Sequence, residues 1–294
     1  MTDIAILNDM QEARRARLRL LSTSVRYVLL FAVGLVMLYP LIWLVGASFK
    51  TNSEIFSGAG FIPENPTLDG YIRGWQTSTP YTFGRFFWNS FLIILPKVIG
   101  TAISCTMAAY AFARFDFPLK KILFGSVIAI LLLPNVVTRI PQYILFRDLG
   151  WLDSFLPLWV PSAFAGDAFF VFMLVQFLRS LPSDMEEAAR VDGANSLQAL
   201  IYIVVPMLAP ALISVCLFQF MWTMNDFLGP LIYLSSVDKY PVSLALKLSI
   251  DTTEAFEWNR ILAMSVLTIA PALIVFFAAQ RYFIEGISSG GVKG

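Results

Sequence analysis

The stretch LPSDMEEAARVDGANSLQALIYIVVP, residues 181–206, decides how the rest of this chain is organised. It is the longest water-compatible segment in the second half of an otherwise apolar sequence, and it reads as two short helices with a break between them. Pro182 makes a sharp entry, Ser183 is a good N-cap, and Glu186 three residues on completes a capping box. Asp184, Glu186 and Glu187 put negative charge in the first turn, where the helix dipole favours it. Ala188 and Ala189 are strong helix formers with thin side chains. Gly193 fits the residue that ends a helix in a left-handed conformation. Ser196 can cap the second helix, which runs apolar through Ile203 to Pro206 and into the next hydrophobic stretch. By local pattern alone this is also a capped surface helix–turn–helix with no partner.

Composition supplies the surroundings of that loop. The 294 residues are 57% hydrophobic and only 14% charged, with a mean hydropathy of +0.71. Soluble domains are nearer 45–50% apolar and about 25% charged, so the chain is expected to be an all-α integral membrane protein with no large soluble attachment. A net charge of +1 gives no reason to expect a nucleic-acid partner. The absence of histidine removes His-ligated metal and His-based acid–base chemistry. Cys105 and Cys216 both fall in apolar stretches, where a packing role is expected. No G-x-x-x-x-G-K-[ST] is present, so the chain is not expected to hydrolyse ATP itself.

Taken in order, residues 1–24 form a polar segment ending in a basic cluster of Arg14, Arg15, Arg17 and Arg19, followed by Arg26. The apolar run 27–47 is too long for a signal-peptide core and lacks a small-residue cleavage site, so it is expected to stay as a first span. A Gly- and Pro-rich loop, 48–86, follows, with a short helix near 68–75. Further spans are expected at 88–113, 122–143 (interrupted by Pro134 and Pro141), 156–178, 207–227 and 261–283. An outer segment, 229–259, contains a helical pattern at 242–250. Basic residues concentrate in the segments placed inside, including Arg114, Lys120, Lys121, Arg179 and Arg190. Six spans with both termini cytoplasmic follow from that bias, and no internal repeat supports an inverted-repeat design.

The spacing of Glu187-Ala188-Ala189, Gly193, Ile203 and Pro206 resembles the EAA motif of permease subunits of ABC importers, with Val205 where that motif has Leu. The runs AAYAFARFDFP (108–118) and QRYFIEGISSGGVKG (280–294) are similar to the second permease subunit of the maltose-type, sugar-importing group. The resemblance covers about residues 25–294. It implies a type I importer transmembrane domain in a bacterial inner membrane, with 181–206 as a cytoplasmic coupling loop. It also implies a homologous permease as heterodimer partner, two ATPase subunits that use ATP and Mg, and an extracytoplasmic sugar-binding protein. In that group the tail reaches between the ATPase subunits, which points to Gly286, Gly290, Gly291 and Lys293 in the tail 284–294. Its glycines permit close backbone approach, although a Gly/Ser-rich end is also the usual form of a free terminus. Glu186, Glu187 and Arg190 are candidates for ATPase contact. Arg190 on a solvated helix face is the other reading.

Charges at membrane depth cost about 2.5–3.5 kcal/mol on insertion scales, so each is a functional candidate. Lys97 follows Pro96 in the second span, Asp167 lies near the middle of the fourth, and Asp226 follows Asn225 at the outer end of the fifth, a turn after Trp222. Trp222, Asn225, Asp226 and Asp167 have the residue types that bind sugar hydroxyls and faces. The resemblance places a Trp/Asn/acidic/Phe cluster at that end of the fifth span, but implies that most sugar contacts lie in the other permease. Asp226 also reads as a helix-end residue, and Lys97 with Asp167 as an intramembrane pair. If Lys97 faces the cavity unpaired, an anionic sugar becomes attractive. The expected function is a permease subunit working by alternating access. An ion-coupled secondary transporter using Lys97, Asp167 and Asp226, and a non-transporting membrane scaffold, are the alternatives.

Overall fold

The computed structural model describes the backbone of residues 2–57, 60–77, 80–251 and 257–291, and the side chains of 22–280 apart from 58–59, 78–79, 135 and 248–256. All regular structure among these residues is helical. The chain divides into two compact units, Met1–Tyr71 with Glu257–Val266, and Ile72–Phe256 with Leu267–Gly294.

The first unit is dominated by α1 (Thr2–Ala47), a 46-residue helix. The polar segment expected at 1–24 and the first span are thus one continuous helix, because Arg, Leu, Ala, Glu and Gln in the polar part are all good helix formers. The most apolar stretch of its apolar part, Ser22–Ala47, holds no buried residue, although Ala47 at the end of the helix is buried. A helix apolar on all sides is suited to a membrane span. Two short helices follow, α2 (Asn52–Ser57) and α3 (Asp69–Gln76). Gly70 permits the close approach of the last helix, since a Cβ there would lie 2.6 Å from the Asn259 carbonyl oxygen.

The second unit is built around α4 (Phe83–Arg114). Three broken spans surround this spine. The first consists of α5 (Lys120–Leu132) and α6 (Asn135–Asp148), set 108° apart. Pro134 causes the break: it lacks an N–H and forces Leu133 into an extended conformation. The next comprises α7 (Leu156–Trp159), a 3-10 turn (Val160–Phe164) and α8 (Ala168–Ser180). Between the last two, Ala165 is left-handed at φ 54°, and Gly166 sits where a Cβ would lie 2.5 Å from the Pro161 carbonyl oxygen. After α9 (Asp184–Val191) comes the third, starting at α10 (Ser196–Ala199). It continues through a π turn (Leu200–Val204) and α11 (Val205–Met207), bends by 79° at Leu208, and ends in α12 (Ala209–Met224). The chain closes with α13 (Leu228–Tyr233), a 3-10 turn (Val237–Lys239), α14 (Val242–Asp251) and α15 (Trp258–Gly291).

Among the described residues four helices are long and apolar enough to span a membrane, and the two bent pairs bring the number to as many as six. That agrees with the six-span, all-α expectation. The helices expected near 68–75 and 242–250 are α3 and α14. The core of the second unit joins α4, α8 and the third broken span through Cys105, Tyr110, Phe170, Leu174, Leu178, Val204, Leu208 and Val215. Cys105 is buried there as a free thiol, and Cys216 is half-buried and also free.

Two polar clusters fix this packing. At the break before α8, Asp167 Oδ2 accepts from Thr101 Oγ1 at 3.1 Å and from Gln219 Nε2 at 3.4 Å, so one carboxylate joins α4, α8 and α12. Gln219 is only 2% exposed. In the loop before α7, Asp153 adopts φ 54°. Its carboxylate accepts from the backbone N–H of Ser235 (3.0 Å) and Ser236 (2.9 Å), from Ser236 Oγ (2.6 Å) and from Lys239 Nζ (2.8 Å). This ties 150–155 to 233–239.

Removing the Asp167 acceptor leaves the buried Gln219 amide unpaired, a penalty of about 1–3 kcal/mol. Asp167→Ala is therefore expected to lower the thermal unfolding midpoint of the solubilised protein, and Asp167→Asn to lower it less. An unchanged midpoint for Asp167→Ala would remove this cluster from the account of stability. For Asp153, burial pushes the carboxyl up, but Lys239, Ser236 and the two backbone N–H groups overcome it and hold the pKa well below the usual carboxylate range. A depressed folded pKa gives stability that is present above the unfolded value of about 3.9 and is lost as pH falls toward the folded value. The stability gap between wild type and Asp153→Asn should be constant from pH 7 to about 5, shrink below about 4, and close at still lower pH. A gap that shrinks between pH 7 and 5 contradicts this.

Candidate functional site

The loop 181–206 forms the helix pair read from the sequence, with different caps. Gly193, at φ 90°, ends α9. The Gly193 N–H donates to Arg190 O at 3.1 Å and the Ala194 N–H to Ala189 O at 2.9 Å, the paired bonds of a Schellman motif. The second helix is capped by Asn195 and not by Ser196. Asn195 Oδ1 accepts from the Gln198 N–H at 2.9 Å, and Gln198 Oε1 accepts from the Asn195 N–H at 2.8 Å. This reciprocal capping box satisfies two otherwise orphaned donors.

The box expected between Ser183 and Glu186 does not form. Ser183 makes no side-chain cap bond, and its hydroxyl donates to Glu187 Oε1 at 3.1 Å. Glu186 instead turns inward, 4% exposed, and accepts from Arg114 Nε at 2.7 Å. Arg114 Nη2 also donates to Leu181 O at 3.1 Å. The last residue of α4 thus grips both the entry to α9 and its first turn. A charge-assisted bond to a largely buried arginine outweighs a surface cap worth about 1 kcal/mol.

With Glu186 holding one side, the other side is left uncovered. Glu187, Ala188 and Arg190 are exposed, Ala189 is half-buried, and Arg190 lies 5.9 Å over the Phe115 ring. Large apolar side chains also face outward: Met185, Leu197, Val191 at 87% and Tyr202 at 74% exposure. Ile203 is half-buried in the π turn, and Pro206 is exposed in α11. In the tail, the backbone is helical through Gly291, so Gly286, Gly290 and Gly291 belong to α15. Lys293 lies outside the described residues.

A second feature is a cavity of about 980 Å³ within the second unit, lined by Lys97, Arg139, Asp167, Trp222, Asn225 and Asp226 among others. The structure thus brings together all five pathway candidates. Trp222 is 50% exposed and rests on Phe170 (5.1 Å), Phe169 (5.3 Å) and Phe218 (6.1 Å between ring centroids). This leaves a rigid aromatic face on the wall. Asn225 Nδ2 donates to Met221 O at 2.8 Å. Asp226 Oδ1 accepts from the Gly229 N–H at 3.0 Å, which starts α13. Lys97 has no carboxylate oxygen within 4 Å among the described residues, so it does not pair with Asp167 or Asp226. Arg139 and Gln219 were missed in the sequence. Arg139 sits inside the expected third span and carries the same signal that singled out Lys97. Gln219 carries none, because uncharged amides are unremarkable in an apolar run.

This arrangement can be set beside known proteins. Residues 100–289 match the family described as "Binding-protein-dependent transport system inner membrane component". A probable ABC transporter permease protein of Pyrococcus horikoshii is 32% identical over 264 residues, covering 90% of this chain and 95% of that protein. An arabinooligosaccharides transport system permease protein of Halalkalibacterium halodurans is 31% identical over 269 residues, covering 89% and 93%. A crystal structure of a bacterial ABC transporter involved in the import of the acidic polysaccharide alginate superposes with a TM-score of 0.78 at 26% identity, covering 88% of this chain and 95% of that one. Family membership replaces the ion-coupled and scaffold alternatives. The chain belongs to the binding-protein-dependent transport inner-membrane components: it is a multi-pass permease subunit of an ABC transporter.

Proposed function

We propose that this chain is one of two permeases of a saccharide importer, pairing with a homologous permease as a heterodimer. Support for the cargo comes from the relatives, whose described substrates include arabinooligosaccharides and alginate, and from a cavity with an aromatic face beside polar side chains. Two ATPase subunits bind ATP and Mg, and an extracytoplasmic binding protein delivers the sugar. Both termini and the loop 181–206 lie on the cytoplasmic side, with the polar segment 1–24 before the permease domain 25–294.

The observation that carries the coupling role is the two-sidedness of α9. One side is locked to α4 by the buried Arg114–Glu186 pair. The other presents Met185, Ala188 and Val191 to solvent, next to Leu197 of α10 and Tyr202 of the π turn, which are exposed as well. Exposed apolar residues ringed by polar ones on a short rigid helix mark a docking surface. In this reading the apolar face enters a groove on the ATPase, with Glu187 and Arg190 making polar contacts at its rim. Closure of the ATPase dimer on ATP then moves α9. Because α9 and the end of α4 are one rigid piece, α4 and the helices packed on it move too, and the cavity changes the side it opens to. Hydrolysis resets it. The tail, through Gly286, Gly290, Gly291 and Lys293, is assigned a supporting contact with the ATPase pair.

Gly193 sets the angle between the two loop helices. A residue with a Cβ at φ 90° is strained by about 1–2 kcal/mol, although nothing would clash with it. Gly193→Asp and Gly193→Val are expected to leave the chain in the membrane and paired with the second permease. They should reduce copurification of the ATPase subunits and sugar uptake at least tenfold. Stoichiometric ATPase and full uptake in both variants would refute the coupling assignment. Absence of any ATPase from the purified wild-type complex would refute it as well.

A further inference from the structure

The cavity beside α4 has a pattern of used and unused polar groups that selects among saccharides. Each of its two carboxylates is engaged by its own chain through one oxygen. Asp167 accepts from Thr101 and Gln219, and Asp226 accepts from the Gly229 N–H. Its two cations are not engaged. Among the described residues neither Lys97 nor Arg139 has a carboxylate oxygen within 4 Å, and both are half-buried on the cavity wall. An ammonium offers three donors and a guanidinium five, in a fork that fits a carboxylate. Both lie at membrane depth by sequence position: Lys97 follows Pro96 within α4, and Arg139 is in the first turns of α6 after the Pro134 break. A charge there costs about 2.5–3.5 kcal/mol on insertion scales, a cost with no structural return on this chain, since neither cation bridges two elements. Trp222 supplies the aromatic face in the same cavity.

From this we propose that the translocated saccharide carries carboxylates, as a uronic-acid-containing oligosaccharide does, and that Lys97 and Arg139 are its counter-charges during passage. A pyranose ring would lie on Trp222, with its carboxylate turned toward the cations. The inference rests on the saccharide reading above and narrows it.

The test uses the complete importer with its own partner permease, ATPase subunits and binding protein, reconstituted in proteoliposomes. The probes are digalacturonate and its dimethyl ester, which differ in charge and little in shape. ATP-driven uptake of the acid should exceed that of the ester at least tenfold. Lys97→Gln or Arg139→Gln should lower the acid-to-ester ratio at least fivefold, and Lys97→Arg should keep it. The binding protein is unchanged between these complexes, so a shift in ratio belongs to the permease. If neither Gln variant assembles, the wild-type ratio alone decides. Equal or better uptake of the ester, or a ratio that neither Gln variant moves, would overturn the proposal and leave the saccharide importer standing; the cations would then pair with acidic residues of the partner permease. If a panel of neutral and acidic disaccharides gives no uptake and no stimulation of ATP hydrolysis, both readings fall together.

Discussion

The structure depends on the buried ion pair between Arg114 and Glu186. The two side chains are 12% and 5% exposed and 2.7 Å apart, and the second arm of the guanidinium holds the Leu181 carbonyl. Breaking such a pair by removing one partner typically costs about 3–5 kcal/mol, because the other charge is left buried and uncompensated. That is large beside the few tenths of a kcal/mol expected of a surface pair such as Lys120–Asp116 in the turn before α5. α9 is short and lies on the surface, and on its own it would fray. Fastened to the end of a 32-residue span, it becomes a handle on that span.

The rest of the second unit is jointed around one continuous helix. α4 is long and continuous, while the three spans around it are broken at Pro134, at Ala165–Asp167 and at Leu208. Irregular backbone at membrane depth is tolerated where it is buried in protein or lines a polar cavity. Two of these breaks contribute to the cavity wall, through Leu133 and through Gly166 with Asp167. The Asp167 carboxylate holds the inner edge together across three helices. The pair at one end of α4 and this hub near its middle lie on one helix, so a displacement at the Arg114 end reaches the cavity through packed side chains and two polar joints.

The sequence disclosed what is local. The break at Gly193 was readable because one residue type satisfies a left-handed helix end. The Pro134 interruption was readable because proline constrains its own neighbourhood, whereas Pro141, expected to interrupt the same span, lies inside the continuous α6. Apolar length marked the spans, although it did not reveal that the fourth and fifth are broken, since Ala165, Gly166 and Leu208 are ordinary residues in an apolar run. The direction of Glu186 was not readable. Its capping position and its burial against Arg114 compete, and the partner lies 72 positions away in the chain. The choice of Asn195 over Ser196 as cap turned on a one-residue register that both residue types fit. At the cavity, Lys97 and Asp167 stood out as charges at depth. That one of them is held by hydrogen bonds within the chain depends on Thr101 and Gln219, neutral residues that draw no attention in a sequence.

The measurement that bears most directly on the rigid link between α9 and α4 is a double-mutant cycle on coupling efficiency. It compares sugar transported per ATP hydrolysed by reconstituted importers carrying Arg114→Gln, Glu186→Gln, or both. If the pair transmits the motion, each single change lowers that ratio about tenfold while ATPase subunits stay bound, and the double variant is no worse than either single one. Single variants that transport with the wild-type ratio, or two losses that simply add, would contradict the link.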